Sequence, residues 1–184
     1  MKVLAIPEDP TLDQYILKPI VERLFRELRR PARVDVLQDP SLRGVAQALD
    51  RDMIAGIVAD NPMIDLFLLV VDRDCDAKRE PAARAREVEH PGRLLACVAI
   101  EEIEVWLLAI HKDDLGLRWP DVRADCHPKE RYAEPFLAAH DGPGRGRKAA
   151  MGPLAGRRWR SLTQLCPELG VLQHRLEQWF ASRA

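Results

Sequence analysis

The sequence predicts an α/β fold: an open, mostly parallel sheet with helices on both faces, followed by an irregular and helical C-terminal extension. Three observations lead there. Strand-like and helix-like patterns alternate four times between residues 2 and 111. The run Leu66-Phe67-Leu68-Leu69-Val70-Val71 is apolar on both pleat faces, as a central parallel strand covered by helices must be. Acidic residues follow three of the four strand-like runs, at the sheet edge where open α/β proteins carry their working groups.

Lys2 to Ile6 is a short apolar run that stops at Pro7. From Leu12 the apolar residues Leu12, Ile16, Ile20, Leu24 and Leu28 recur every four positions, which predicts an amphipathic helix with Pro19 inside it to kink or tighten it. Ala32 to Leu37 predicts the second strand. Ser41 is placed to cap a single helix carrying Val45, Leu49, Ile54, Ile57 and Val58, ended by Asn61-Pro62. After the third strand, Lys78 to Glu89 reads as an exposed, charged helix. Arg93 to Ile100 predicts the fourth strand, and Glu101 to His111 a helix with Ile103, Trp106, Leu107 and Ile110 on one face. Residues 113 to 160 read as loop-rich, and a last helix is expected around Val171 to Phe180. The expected division is a core over residues 1–112, with 113–184 packed on the same domain.

At 184 residues one domain is the default. With 47% hydrophobic and 31% charged residues the chain is too apolar for intrinsic disorder. A net charge of −1 gives no global attraction to nucleic acid or to an anionic membrane, so either would need a local patch. There is no apolar run for a signal peptide or a membrane span, which predicts a cytoplasmic protein without membrane contact. Cys75, Cys97, Cys126 and Cys166 lack paired spacing, so reduced thiols are expected rather than a disulfide framework or zinc ribbon. A mixed site from Cys126, His127, Cys166 and His174 lacks the close ligand pairs that zinc usually takes.

Glu8 follows the first strand, Asp72, Asp74 and Asp76 the third, and Glu101, Glu102 and Glu104 the fourth. Asp72-Arg73-Asp74 lets two carboxylates leave one turn and share a hard cation. Magnesium takes such oxygen ligands while keeping waters for a phosphate substrate. An isolated Asp-x-Asp more often caps a helix or sits solvated in a loop. Its attachment to a buried strand, with Glu8 opposite, favours the metal reading, and Asp76 is expected in solvent.

Glu after the first strand, Asp-x-Asp after the third and the alternating order between them resemble a Toprim domain, the metal-binding module of topoisomerases, primases and overcoming-lysogeny-defect nucleases. Pro7-Glu8-Asp9-Pro10-Thr11-Leu12-Asp13, Val71-Asp72-Arg73-Asp74 and Ile103-Glu104-Val105-Trp106 are similar to bacterial Toprim-like proteins related to RloB and linked with phage defence. The resemblance spans about residues 1 to 150 and departs at Asp9, where Toprim proteins commonly have Gly. It implies Mg2+ or Mn2+ as cofactor, Asp72 and Asp74 as ligands, and Glu8 as ligand or acid/base. Glu104 stands in the matching Ile-Glu-Val-Trp block. Lys129, in the similar block His127-Pro128-Lys129-Glu130-Arg131-Tyr132, is placed to offset charge on a phosphate.

Between Gly142 and Arg160 stand Arg145, Arg147, Lys148, Arg157, Arg158 and Arg160 and no acid, with Gly142, Gly144 and Gly146 in the same stretch and Trp159 able to stack on a base. That is a nucleic-acid-binding expectation, although Gly-Arg loops are also often just flexible. Together these readings predict a magnesium-dependent nuclease. The alternative is a non-catalytic or regulatory Toprim-shaped partner of an ATPase or other larger complex.

Overall fold

A computed structural model describes residues 1–116, 118–139 and 143–183, with residues 143–145 described by their backbone alone. Four strands, β1 (Lys2–Pro7), β2 (Arg33–Val36), β3 (Leu66–Asp72) and β4 (Leu94–Ala99), form one all-parallel sheet in the order β2-β1-β3-β4. Pro7 pairs with Val70, and Asp72 with Ala99, so β1, β3 and β4 end side by side.

Alternate strand residues feed two cores, as the pleat requires. Val3, Ala5, Leu66, Leu68, Val70, Leu95, Cys97 and Ala99 face one side. They meet helix α1 (Gln14–Glu27) through Ile16, Ile20 and Leu24. Leu4, Ile6, Phe67, Leu69, Val71, Leu94 and Ala96 face the other, against Ile54, Ile57 and Ala83. Pro19 lies inside α1, which runs on through it to Glu27.

The single helix expected after Ser41 is two, α2 (Val45–Ala48) and α3 (Arg51–Asp60). Gly44, at φ +91°, occupies the position before α2, where a side chain would be strained. Asp50 holds an extended conformation and its carboxylate accepts the Met53 N–H at 2.8 Å. That cap satisfies a donor α3 would otherwise leave open, and it competes with continuation of α2. Helix α4 (Arg79–Glu89) buries Ala83 alone among its residues, in keeping with the expected exposure. Helix α5 (Glu104–Ile110) is buried along its whole length.

The expected loop-rich stretch is largely helical: α6 (Lys112–Leu115), α7 (Trp119–Ala124), a π-helical turn (Lys129–Ala133), α8 (Glu134–Ala138), α9 (Pro143–Ala150), a 3-10 turn (Gly152–Gly156) and α10 (Trp159–Leu165). The last helix, α11 (Pro167–Ala181), starts four residues earlier than the periodicity indicated. Short Gly- and Pro-broken segments carry too few turns for a helical period to register. Their apolar residues Leu137, Met151, Leu154, Trp159, Leu162, Leu172 and Leu176 complete the core on the α1 side, so both halves of the chain share it.

Two polar networks lock this extension. Glu168 accepts Trp106 Nε1–H at 2.8 Å and both Arg123 η-nitrogens, at 3.2 and 3.0 Å, tying α11 to α5 and α7. At the outer edge of β4, the Ala96 N–H donates to Glu87, and the Ala96 carbonyl accepts from Arg84 and Arg175. Side chains thus occupy an edge that would otherwise template pairing with another strand. Among the described residues no helix is long and apolar enough to cross a membrane.

Candidate functional site

From β1 the chain turns toward β2, whereas from β3 it turns toward β4 on the opposite side. The loops leaving β1 and β3 therefore part, and the crevice between them is the topological switch point at which open α/β sheets take ligands. Glu8 and Asp72 sit there. Glu8 Oε1 accepts the Asp72 N–H at 2.6 Å, and Asp72 Oδ1 accepts the Ile103 N–H at 2.8 Å, which ties all three strand ends together.

Two further acids close in from the helices. Asp13, buried where the chain enters α1, accepts the Asp9 N–H at 3.2 Å. Glu104, first residue of α5 and only 1% exposed, accepts Arg147 Nη2 at 2.6 Å and has Lys129 Nζ at 3.8 Å. Its second oxygen, Oε2, is buried without a hydrogen-bond partner among the described residues. The Lys129 N–H donates to Glu102 at 2.6 Å, which anchors the Lys129 turn over the β4 end.

Burial and mutual repulsion dominate the electrostatics. Loss of water pushes Asp13 up to about 8, helped by the Glu104 charge. The same burial, with Glu8 and Glu104 beside it, raises Asp72 well above the usual carboxylate range. Burial also raises Glu8, against the opposing Asp72 N–H bond and the Arg79 charge. Glu102 is raised to about 7, again first by burial. For Lys129 burial alone would lower the value, yet the carboxylates of Glu104, Asp13 and Glu102 bring it above its ordinary one. The cluster is a site short of positive charge.

Of the residues singled out from the sequence, Glu8, Asp72, Glu104 and Lys129 come together. Asp74 turns to Arg79, pairing at 2.5 Å, and Arg79 also donates to the Asp72 carbonyl. Asp74 nonetheless stays near enough for its charge to act on both Glu8 and Asp72. Glu101 is buried and paired with Arg73, and Glu102 is buried as well. Asp76 is exposed and accepts the Lys78 N–H. Arg147, expected to bind nucleic acid, is 2% exposed and pairs with Glu104, because α9 lies against α1 and directs it inward. Arg157 meets Asp113 and Asp114 at 3.4 Å, while Lys148, Arg158 and Arg160 are exposed. The Arg145 side chain, Gly142 and His140 lie outside the described residues.

The cysteine expectation is overturned. Cys75 and Cys126 form a disulfide, and Cys97 and Cys166 are buried free thiols. The fold brings together two loops 51 residues apart in sequence, a proximity that spacing along the chain does not encode. Cys75, Cys126 and Glu101 are also the one described set of three ligand-type side chains whose donor atoms all lie within 4.8 Å of one another.

Asp13 escaped the sequence reading. An acid opening an amphipathic helix reads as an ordinary cap, yet Asp13 makes no side-chain bond into its helix. Its five-residue spacing from Glu8 in the quoted Pro7-to-Asp13 block was the available clue. No family model matches the chain, and no curated protein or solved structure matches it either.

Proposed function

We propose that the protein is a magnesium- or manganese-dependent phosphodiester hydrolase of Toprim type acting on DNA or RNA. The observation that carries this reading is the convergence of Glu8, Asp13, Asp72 and Glu104 at the switch point, where burial raises the pKa of Glu8, Asp13 and Asp72 and the Glu104 charge adds to the rise at Asp13 and Asp72. Their donor atoms are all carboxylate oxygens, which suit a hard divalent cation. Glu104 Oε2, buried and without a partner among the described residues, is the kind of atom a cation relieves. Glu8 and Asp72 would hold the ion, with Asp74 exchanging Arg79 for it, and Glu104 would supply further negative charge; Asp13, protonated in the metal-free chain up to about pH 8, would add its charge only on giving up that proton. A bound ion polarises the phosphodiester and lowers the pKa of an attacking water.

The chain's own groups supply the rest. Glu8, held against the Asp72 backbone, is set to orient a water or take its proton. Lys129, partly exposed beside Glu104, is set against phosphate charge. Exposed Arg158 and Arg160, beside Trp159, offer contacts to a nucleic-acid backbone. The likeness to phage-defence proteins makes invading DNA the first substrate to try.

Plasmid, single-stranded DNA and RNA incubated with Mg2+ or Mn2+ test the reading. Cleavage abolished by chelator and by Asp72→Ala, with an unchanged circular-dichroism spectrum, is expected. Wild-type protein that neither binds Mg2+ in calorimetry nor cleaves overturns it. A second reading, a non-catalytic Toprim-shaped partner of an ATPase, has one observation in its favour: Arg147 and Lys129 on Glu104, and Arg79 on Asp74, already offset part of the acidic charge. A complex with an ATPase that survives Asp72→Ala, without nuclease activity in the wild type, would select it.

A further inference from the structure

We propose a second, thiophilic metal site next to the carboxylate crevice: once the Cys75–Cys126 disulfide is reduced, Cys75 Sγ, Cys126 Sγ and Glu101 Oε2 together hold one zinc ion. The three donor atoms already lie within 4.8 Å of one another. Glu101 Oε2 is 3.2 Å from Cys75 Sγ. Tetrahedral zinc, with bonds of about 2.0 Å to oxygen and 2.3 Å to sulfur, sets such a pair about 3.5 Å apart and two sulfurs about 3.8 Å apart. The Cα atoms of the two cysteines are 5.5 Å apart, so side-chain rotation is enough to open that distance.

Two of the ligands are held in place without the sulfur–sulfur bond. Glu101 pairs with Arg73 through Oε1, while Oε2 accepts the Cys75 N–H at 3.0 Å and faces the sulfur. Arg73 thus fixes the carboxylate and offsets its charge, the part that outer-shell partners play for metal-ligating acids. Asp74, Cys75 and Glu101 have φ of +45°, +55° and +68°, a conformation that residues with side chains rarely hold and that clusters at functional sites. Backbone bonds from Asp74 N–H to the Glu101 carbonyl and from Arg73 N–H to the Ala99 carbonyl, both 3.0 Å, lock the two turns together. Cys126 arrives on the segment that the Lys129 N–H fastens to Glu102. Cys75 is exposed, so reductant and metal can reach it and a water can take the fourth position.

A dithiol reduces the bridge by giving two electrons and two protons, becoming a disulfide itself and leaving two thiols. Zinc then binds two thiolates with release of two protons. Cysteine pairs in a reducing compartment bind metal or act in catalysis more often than they stay cross-linked. Zinc and disulfide alike would clamp the Asp72-Arg73-Asp74 loop to the segment bearing Lys129. The proposal does not rest on the hydrolase reading, since its donors, two thiolates and the Glu101 carboxylate, include none of Glu8, Asp13, Asp72 and Glu104.

Full-length protein, reduced with a dithiol that is then removed anaerobically, is titrated with Co2+ as a spectroscopic probe. The expected result is one equivalent bound with a thiolate-to-cobalt charge-transfer band, displaced by Zn2+. The band should be absent from oxidised protein and from Cys75→Ser and Cys126→Ser, and affinity should fall at least about tenfold in folded Glu101→Gln. Reduced wild type without the band, a band that survives in Cys126→Ser, or unchanged affinity in folded Glu101→Gln overturns the site.

Discussion

Glu104 and Glu168 are both buried acids in the first turn of a helix, and they are treated in opposite ways. Both oxygens of Glu168 are engaged, by Trp106 and by a two-pronged Arg123. Glu104 has one oxygen on Arg147 and the other without a hydrogen-bond partner among the described residues, with Asp13 and Asp72 close enough for their charges to be felt. Helix α5 carries both environments, since Trp106 reaches Glu168 two residues after Glu104 meets the crevice. The contrast teaches how to separate a carboxylate that holds the fold from one retained at the fold's expense. A buried charge with all its hydrogen bonds made reads as structural, whereas a crowded set of buried acids, one with an oxygen left unpartnered among the described residues, marks a candidate binding site.

The largest effect expected is functional. Asp72→Ala should lower Mg2+-dependent cleavage about a thousandfold, several kcal/mol of lost transition-state stabilisation, with little change in melting temperature. Steady-state cleavage and thermal melts on one preparation check it, and a collapse of stability instead would erase the contrast. Glu168→Ala should do the reverse, costing about 3 kcal/mol in urea unfolding because Arg123 loses its buried partner, while the folded fraction keeps its turnover.

A smaller effect sharpens the comparison through pH. Asp13 keeps its proton in the folded chain up to about pH 8, against an ordinary value of 3.8. The stability this contributes is complete below about pH 4 and is lost as pH rises to about 8, so melting temperature without added metal should fall across that window. Asp13→Asn should flatten the fall and melt higher than wild type at pH 8, as removal of a repelling charge requires. An unchanged slope would mean that Asp13 is not the group responsible. The smallest effect belongs to the exposed cations. Arg158→Ala and Arg160→Ala should each weaken nucleic-acid binding a few-fold and reduce its salt slope by about one, measured by fluorescence anisotropy across a salt series.

How much of this was legible depended on how far apart in sequence the interacting residues lie. The alternation of periods exposed the four strands and α1, and the doubly apolar run of β3 foretold its central place, because those patterns are written within short consecutive stretches of the chain. Glu8, Asp72 and Glu104 could be named for the same reason: strand ends are local, and parallel strands put their ends on one edge. The break between α2 and α3 was hidden because one cap at Asp50 outweighed an unbroken apolar pattern.

By itself, then, the sequence determined the α/β class, the parallel sheet and the edge at which acids would gather, since pleat and helix periods act through neighbouring residues. Only the tertiary structure decided that Asp74 would pair with Arg79, that Asp13 would join the strand-end acids, and that Arg147 would turn inward to Glu104. It alone also brought Cys126 to Cys75 across 51 residues. The physical reason is common to all four: charge pairing, desolvation and cross-linking depend on distance in space, and a chain's order fixes that distance only once the whole core has packed.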